Sequence, residues 1–403
     1  MTKFIKAYII VLLISLLYGC AGAESPVQPE TTEPESKDAV PVEFLGDEVL
    51  FTDSEAITEG EISPVIFNRL LDFIKATPDG ESIYLSIYLF DYEPLLVALT
   101  AAHERGVSLN VMMDMSDRSD NLATANMFTV LGEGVNIVRV VNDAGPIAIN
   151  HNKFVLFSEV ETTTGTVEKV VFQTSQNFKE SGAKKLQDAI ILHDDHLHEA
   201  YLDYWHEMKS RAGGGMANFE FMTYHSPEEK IEAYFYPKRE GGRYDGEDSV
   251  IELLNNITDP SSAVIKIGMS AWSDSRVHIV DKFEDLIRQG ATVDIITKSS
   301  IGSRVLERLE MIDSPNADIL IFNMSNDGPP KINIHTKMML IEGEWSGKQM
   351  QLLVTGTQNF TNNALKNNNE VTLLFKNHEF YSEYNSYFEA LKELPAVCCN
   401  SQN

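Results

Sequence analysis

Apolar and polar positions alternate along this chain in two ways. Runs such as 83–90 and 264–272 are almost continuously apolar, as strands covered on both faces are. Between such runs lie segments of helical spacing. Over 93–105 the apolar positions Leu95, Leu96, Leu99 and Ala102 fall on one face. The order strand, helix, Gly turn, strand over 85–114 returns over 267–296. Gly106 and Gly290 are 184 residues apart, and so are His151 and His335, and Lys153 and Lys337. An offset held over several elements marks an internal repeat, each copy reading β-helix-β-helix-β, a loop, then a strand bearing a His.

The pattern predicts two similar α/β domains, 44–212 and 217–394, joined at the Gly-rich stretch "SRAGGGMANF", 210–219. A length of 403 residues suits two domains. Packed as a pseudo-dimer, they would bring equivalent loops together about a pseudo-twofold.

The N-terminus changes the picture. Lys3 and Lys6 precede an apolar run from Ala7 to Leu17, too short to span a bilayer comfortably. "LYGC" follows and resembles a bacterial lipoprotein box. That resemblance implies a signal peptide over 1–19 and lipidation of Cys20. The expected location is the bacterial cell envelope, at the outer membrane of a Gram-negative host, or outside the cell if the signal is simply secretory. Residues 20–43 are rich in Pro, Glu, Ser and Thr and read as a disordered linker. The net charge of −28 opposes long-range attraction to nucleic acid. The adjacent Cys398 and Cys399 read as a harmless tail, and no spacing suggests a cysteine metal site.

Candidate chemistry lies in the repeat. "INHNKF" carries His151 and Lys153, and "NIHTKM" carries His335 and Lys337. Downstream, Ser175 matches Thr357, Asn177 matches Asn359, Gln187 matches Asn369 and Asp188 matches Glu370. From Asn to acid the separation is 11 in both halves. A lone His-x-Lys means nothing, but two with matching Asn and acid are specific.

This duplicated constellation resembles the phospholipase D superfamily over nearly the whole chain after the linker. The resemblance implies two phospholipase D-like α/β domains, each a mixed sheet flanked by helices. It implies phosphodiester hydrolysis or transfer through a phosphohistidine, with His151 as nucleophile and His335 as general acid/base. Lys153, Lys337, Asn177 and Asn359 would cradle the phosphate oxygens, with Ser175 and Thr357 beside them on the substrate. Asp188 and Glu370 are the acids available to hold the far ring nitrogens. No metal or cofactor is expected, because the Lys pair supplies positive charge. A phospholipid is the expected substrate, at a membrane reached through lipidated Cys20. A nuclease and a degenerate binding protein are the alternatives; no protein partner is inferred.

Two positions depart from the family motif: Ser158 and Glu342 stand where it has Asp. Ser158, a neutral partner, should hold its strand less tightly than Glu342. The His- and acid-rich stretch 193–208 reads as a packing helix carrying Tyr201, Leu202 and Trp205 rather than as a metal site. "VNDAGPIAIN", 141–150, and "NMSNDGPPKIN", 323–333, read as turn-rich loops at the cleft mouth.

Overall fold

A computed structural model describes residues 38–116, 119–325 and 331–394. The expected signal peptide, Cys20, Cys398 and Cys399 lie outside the described residues, as does most of the linker. The linker's last residues are described and are not free. Val42 is buried and bridges to Thr162, so the folded chain begins ahead of residue 44.

The first sheet has seven strands: β1 (Glu48–Phe51), β2 (Ser82–Ile87), β3 (Ser108–Asp114), β4 (Asn136–Val140), β5 (Lys153–Thr162), β6 (Gly165–Thr174) and β7 (Asp188–His193). Their order is β1-β7-β6-β5-β2-β3-β4. β2, β3 and β4 run parallel, and the others pair antiparallel.

The second sheet opens with β8 (Met222–His225) and β9 (Ile231–Tyr236). A small ribbon follows, β10 (Arg239–Glu240) with β11 (Arg243–Tyr244). The remaining strands are β12 (Ile257–Met269), β13 (Thr292–Lys298), β14 (Ala317–Phe322), β15 (Lys337–Trp345), β16 (Lys348–Gly356) and β17 (Glu370–Lys376). The sheet order is β14-β13-β12-β15-β16-β17-β9-β8. Its first six strands repeat the first sheet's β4-β3-β2-β5-β6-β7, parallel and antiparallel pairings included. The repeat read in the sequence is therefore a repeat of topology, and the α/β fold class stands.

Alternation along the strands sorts side chains into layers. On β5, Phe154 and Leu156 face one core while Val155 and Phe157 face another. On β15, Met338 and Leu340 join the same core as Phe154, and Met339 and Ile341 face away. That shared core lies between the sheets and holds residues of both halves. Two helices fill it, Asp195–Arg211 with Tyr201, Tyr204 and Trp205, and Phe380–Lys392 with Tyr384 and Phe388. The His-rich stretch is thus a packing helix, and Asp194 is its N-cap, accepting from the Leu197 N–H at 2.9 Å. Trp272 is also core, at 1% exposure.

The joint is built on left-handed backbone, Gly214 at φ +117 and Gly215 at φ +114. Asp143 pins it by accepting from the N–H groups of Gly215 and Ala217, both at 2.9 Å. Loop 141–150 crosses to the second half. Asn142 Nδ2 donates to Asn367 O at 3.0 Å, and Ile149 N–H donates to Asn368 Oδ1 at 3.1 Å. Part of loop 323–333 lies outside the described residues.

Candidate active site

Each His-x-Lys straddles a strand start: the Lys opens β5 or β15, and the His sits just before it. The His151 N–H donates to Asn369 O at 2.9 Å, and the Asn369 N–H returns to Ile149 O at 3.0 Å. Equivalently, the His335 N–H donates to Leu186 O at 2.8 Å, and the Leu186 N–H donates to Asn333 O at 3.0 Å. Each histidine segment is clamped by backbone from the opposite half. The pseudo-twofold therefore runs through one composite site.

The rings are held through the same nitrogen. His151 Nδ1 lies 2.7 Å from Glu370 Oε2, and Asn368 Nδ2 donates to the other carboxylate oxygen at 2.9 Å. His335 Nδ1 lies 2.8 Å from Gln187 Oε1. Gln187 Nε2 donates to Gly182 O at 2.9 Å, which fixes Oε1 as the atom turned towards the ring. A carboxylate oxygen only accepts, so the His151 ring carries Nδ1–H and presents an Nε2 lone pair; at His335 the amide oxygen at 2.8 Å, closer than the Lys337 Nζ at 3.1 Å, favours the same tautomer.

Here the structure departs from the expected acid pair. Asp188 does not hold His335. Its Oδ2 accepts from Thr355 Oγ1 at 2.6 Å and Tyr384 OH at 2.7 Å, and its Oδ1 has no partner among the described residues. Asp is one methylene shorter than Glu, and buried hydroxyls engage it. Gln187, one residue earlier, makes the contact. The matching Asn369 does not: its Oδ1 accepts from Asn142 Nδ2 at 3.0 Å. Ser175 and Thr357 also differ from the substrate-binding expectation. The Ser175 hydroxyl serves the N–H of Asp188 at 3.0 Å, and that of Thr357 the N–H of Val371 at 3.0 Å. Both clip β7 or β17 to the loop before it.

Of the expected cradle residues, Lys153 and Lys337 act on each other and on both rings. Lys153 Nζ donates to His151 O at 2.6 Å and sits 5.4 Å from the Tyr88 ring centroid. Lys337 Nζ donates to His335 O and lies 3.1 Å from His335 Nδ1. Asn177 and Asn359 each keep a buried side-chain oxygen without a partner among the described residues, and so do both polar ends of Gln176.

Sequence reasoning missed two further cations. Lys185 and Lys298 stand close enough to His335 to depress its proton affinity. They carry no motif, and only the fold brings them there.

Electrostatics follow from burial. Burial pushes His151 down to about 4, against the pull of Glu370. Burial, then Lys337, Lys185, Lys298 and Lys153, drive His335 well below the usual imidazole range. Burial also lowers Lys153 to about 7, opposed by Glu370, and Lys298 to about 8. Lys337 falls well below the usual lysine range, through burial and then Lys153 and Lys298. Both imidazoles are neutral near pH 7 in the free site.

Comparison with known proteins places this geometry. The family described as "Cardiolipin synthase, PLD-like domain" matches twice, over residues 70–211 and 253–392. A Phospholipase D of Rickettsia bellii (strain RML369-C) is 26% identical over 134 residues, 33% of this chain and 59% of that protein. A Phospholipase D of Rickettsia conorii (strain ATCC VR-613 / Malish 7) is 27% identical over 131 residues, 32% of this chain and 58% of that one. The chain therefore spans less than two thirds of the length of these relatives. Phosphatidylserine synthase of Haemophilus influenzae Rd KW20 shares the fold with a TM-score of 0.57 at 10% identity, over 88% of each chain. Polyphosphate kinase of Porphyromonas gingivalis does so with a TM-score of 0.55 at 14% identity, over 89% of this chain and 52% of its own. With the family matched in both halves, over most of its length, this chain belongs to the phospholipase D superfamily and carries the PLD-like domain twice.

Proposed function

We propose that the protein is a phosphodiesterase acting on a phospholipid, by hydrolysis or transfer, through a phosphohistidine. One observation carries the reading: two imidazoles from opposite halves, each with Nδ1 held by a side chain of the other half, lie beside the same two lysines, Lys153 and Lys337. His151 Nε2 attacks phosphorus and the P–O bond to the leaving alcohol breaks. The departing oxygen takes its proton from His335 Nε2. His335, now neutral, takes a proton from water or a second alcohol, whose oxygen displaces His151 from phosphorus. Glu370 stabilises the positive charge that forms on the His151 ring. Lys153 and Lys337, with Asn177 and Asn359, offset charge on the non-bridging oxygens. A bound anion counters the lysines around His335 and raises its affinity for the proton it must donate.

The lipid reading has its own support. The helix before β2, Val65–Ala76, covers the outer face of the first sheet with 12 residues; its counterpart before β12, Ser249–Asn255, has 7. The shorter helix leaves a cavity of about 200 Å³ lined by Phe221, Tyr234, Met339, Trp345, Val354 and Leu374, and reaching Lys337. Apolar cavities of roughly 150 Å³ already take small hydrocarbons, so this one suits the end of an acyl tail. An acyl anchor at Cys20 would hold the cleft beside lipid, and Cys20→Ser should then release the protein from membranes.

The test is a metal-free assay of the protein on bis(p-nitrophenyl) phosphate, phosphatidylglycerol and single-stranded DNA, with rapid acid quench on labelled lipid. Lipid turnover with label on the peptide holding His151 supports the proposal. Turnover with no phosphohistidine on either histidine overturns the covalent route, and activity confined to DNA overturns the lipid.

A further inference from the structure

The two sides of the cleft differ in charge. β3 ends at Asp114, and its equivalent β13 ends at Lys298. Asp114 Oδ1 accepts from the Asn150 N–H at 2.7 Å and steadies the His151 loop. Lys298 Nζ instead donates to Asn333 Oδ1 at 2.8 Å, two residues before His335. Lys185 enters from the first half. Leu186 bridges to Ile334, so its neighbour Lys185 runs beside the His335 segment. Both lysines are partly buried, and neither has a carboxylate partner among the described residues. Most other lysines with short contacts pair with acids, as Lys169 does with Glu199 and Lys392 with Asp294 and Asp318.

The charges are unevenly placed. Lys153, Lys185, Lys298 and Lys337 all act on His335. Against them stand Glu370, Asp188 and Asp114, which act on Lys337 or Lys153. Glu370 and Asp114 serve the His151 side, so Lys185 and Lys298, beside His335, keep no carboxylate of their own among the described residues. Partly buried, unpaired ammonium groups in a chain of net charge −28 are costly unless an anion completes them.

We propose that Lys185 and Lys298 form a second anion subsite beside His335, which binds a phosphate or carboxylate carried by the leaving alcohol of the substrate. The proposal rests on the phosphodiesterase reading, in which His335 protonates that alcohol. It narrows the substrate class to phosphodiesters whose alcohol half is itself anionic. It also gives selectivity a chemical route. The second anion neutralises the cations that strip His335 of its proton, so the right substrate loads its own general acid.

The experiment compares two lipids with identical acyl chains, phosphatidylglycerol phosphate, with an anionic alcohol, and phosphatidylglycerol, with a neutral one. The readout is the ratio of their kcat/KM values within each protein. Wild type should favour the anionic alcohol by about 10-fold or more, as charge-assisted hydrogen bonds of this kind deliver. Lys185→Gln with Lys298→Gln should bring the ratio near one. Lys185→Arg with Lys298→Arg, which keeps both charges, should preserve it and guards against a folding defect in the first pair. A wild-type ratio near one, or a ratio that survives the double Gln variant, overturns the subsite. Bis(p-nitrophenyl) phosphate separates the two readings, since it has no second anion. If wild type turns over no diester at all, the phosphodiesterase reading fails. The subsite is then judged by calorimetric binding of glycerol 1-phosphate: binding lost in the double Gln variant upholds it, and unchanged or absent binding overturns it.

Discussion

The two histidines occupy equivalent places, yet one leans on a carboxylate and the other on an amide. Backbone reciprocity is nearly complete: Asn150 bridges to Asn369 as Leu186 bridges to Ile334. Side-chain chemistry is not. His151 has Glu370 behind it and Asp114 under its loop. His335 has neutral Gln187 behind it and Lys185 and Lys298 around it. A repeat of topology guarantees that two rings meet; it does not guarantee that they do the same work. A carboxylate-backed ring stabilises a bond to phosphorus, and a cation-surrounded ring is a strong proton donor once an anion has loaded it.

The largest break in the comparison is to delete either ring. His151→Ala and His335→Ala should each lower kcat/KM on bis(p-nitrophenyl) phosphate by ~10³-fold or more, with circular dichroism unchanged. Losing the nucleophile should cost more than losing the acid. Substantial turnover by either variant would end the two-histidine mechanism.

Glu370→Gln makes the two sides alike by neutralising the first. Glu370 raises both His151 and Lys153. Without it, both groups titrate lower. The wild-type kcat/KM profile should fall above about 4, as the fraction with His335 protonated beside a neutral His151 shrinks, and more steeply above about 7, as Lys153 loses its proton. In the variant both breaks should move to lower pH, and the rate at pH 7 should drop by ~10²-fold. An unmoved profile would mean that Glu370 only supports the loop.

Gln187→Glu makes the sides alike in the other direction. A carboxylate at 2.8 Å from Nδ1 should raise His335 by ~1–3 pH units. More of the enzyme then holds a protonated His335 beside a neutral His151. On bis(p-nitrophenyl) phosphate, kcat/KM at pH 7 should rise by up to ~10-fold. The lost bond from Nε2 to Gly182 O should cost about 1 kcal/mol of stability. A fall in rate with the fold intact would exchange the roles of the two histidines.

These partners mark how far the sequence could be read. The constant offset exposed the repeat, its α/β grammar and both His-x-Lys pairs, because those are local patterns at fixed spacing. Glu370 could be named as an available acid, but nothing local showed that it crosses to the opposite half. Aligning the halves set Asp188 against Glu370, and the reach of one methylene undid the equivalence. Gln187 carried a faint signal, a long amide beside a short acid. Lys185 and Lys298 carried none, since their position is a product of strand order and of the bridge between Leu186 and Ile334. Local chemistry is legible in one dimension, whereas contacts across a pseudo-twofold depend on side-chain length and on what else competes for each atom.

The smallest effect tests the motif positions, where the two halves differ again. A neutral Ser158 was expected to hold its strand less tightly than Glu342. The structure reverses that expectation. Ser158 Oγ accepts from the Ser82 N–H at 2.7 Å and donates to Glu81 Oε2 at 2.7 Å, tying β5 to the start of β2. Glu342 has only longer contacts, 3.2 Å to Tyr381 OH and 3.3 Å to Gln351 Nε2. The hydroxyl works because it can donate to a carboxylate, which an Asp in its ionised form cannot. Acids already crowd this edge: Glu159 is raised by burial and then by Glu81, Glu168 and Glu161. Ser158→Asp would place a second carboxylate against Glu81, and like charges across paired strands cost a few tenths to about 1 kcal/mol. For a folded unit of this size the Tm should fall by about 2 °C or less. Glu81→Gln removes the repulsion and offers an amide donor, so Ser158→Asp in that background should recover the loss. Recovery would show that Ser158 and Glu81 form a matched pair replacing the motif acid. A rise in Tm on Ser158→Asp alone would show instead that the position still favours the acid and that its serine is a local defect.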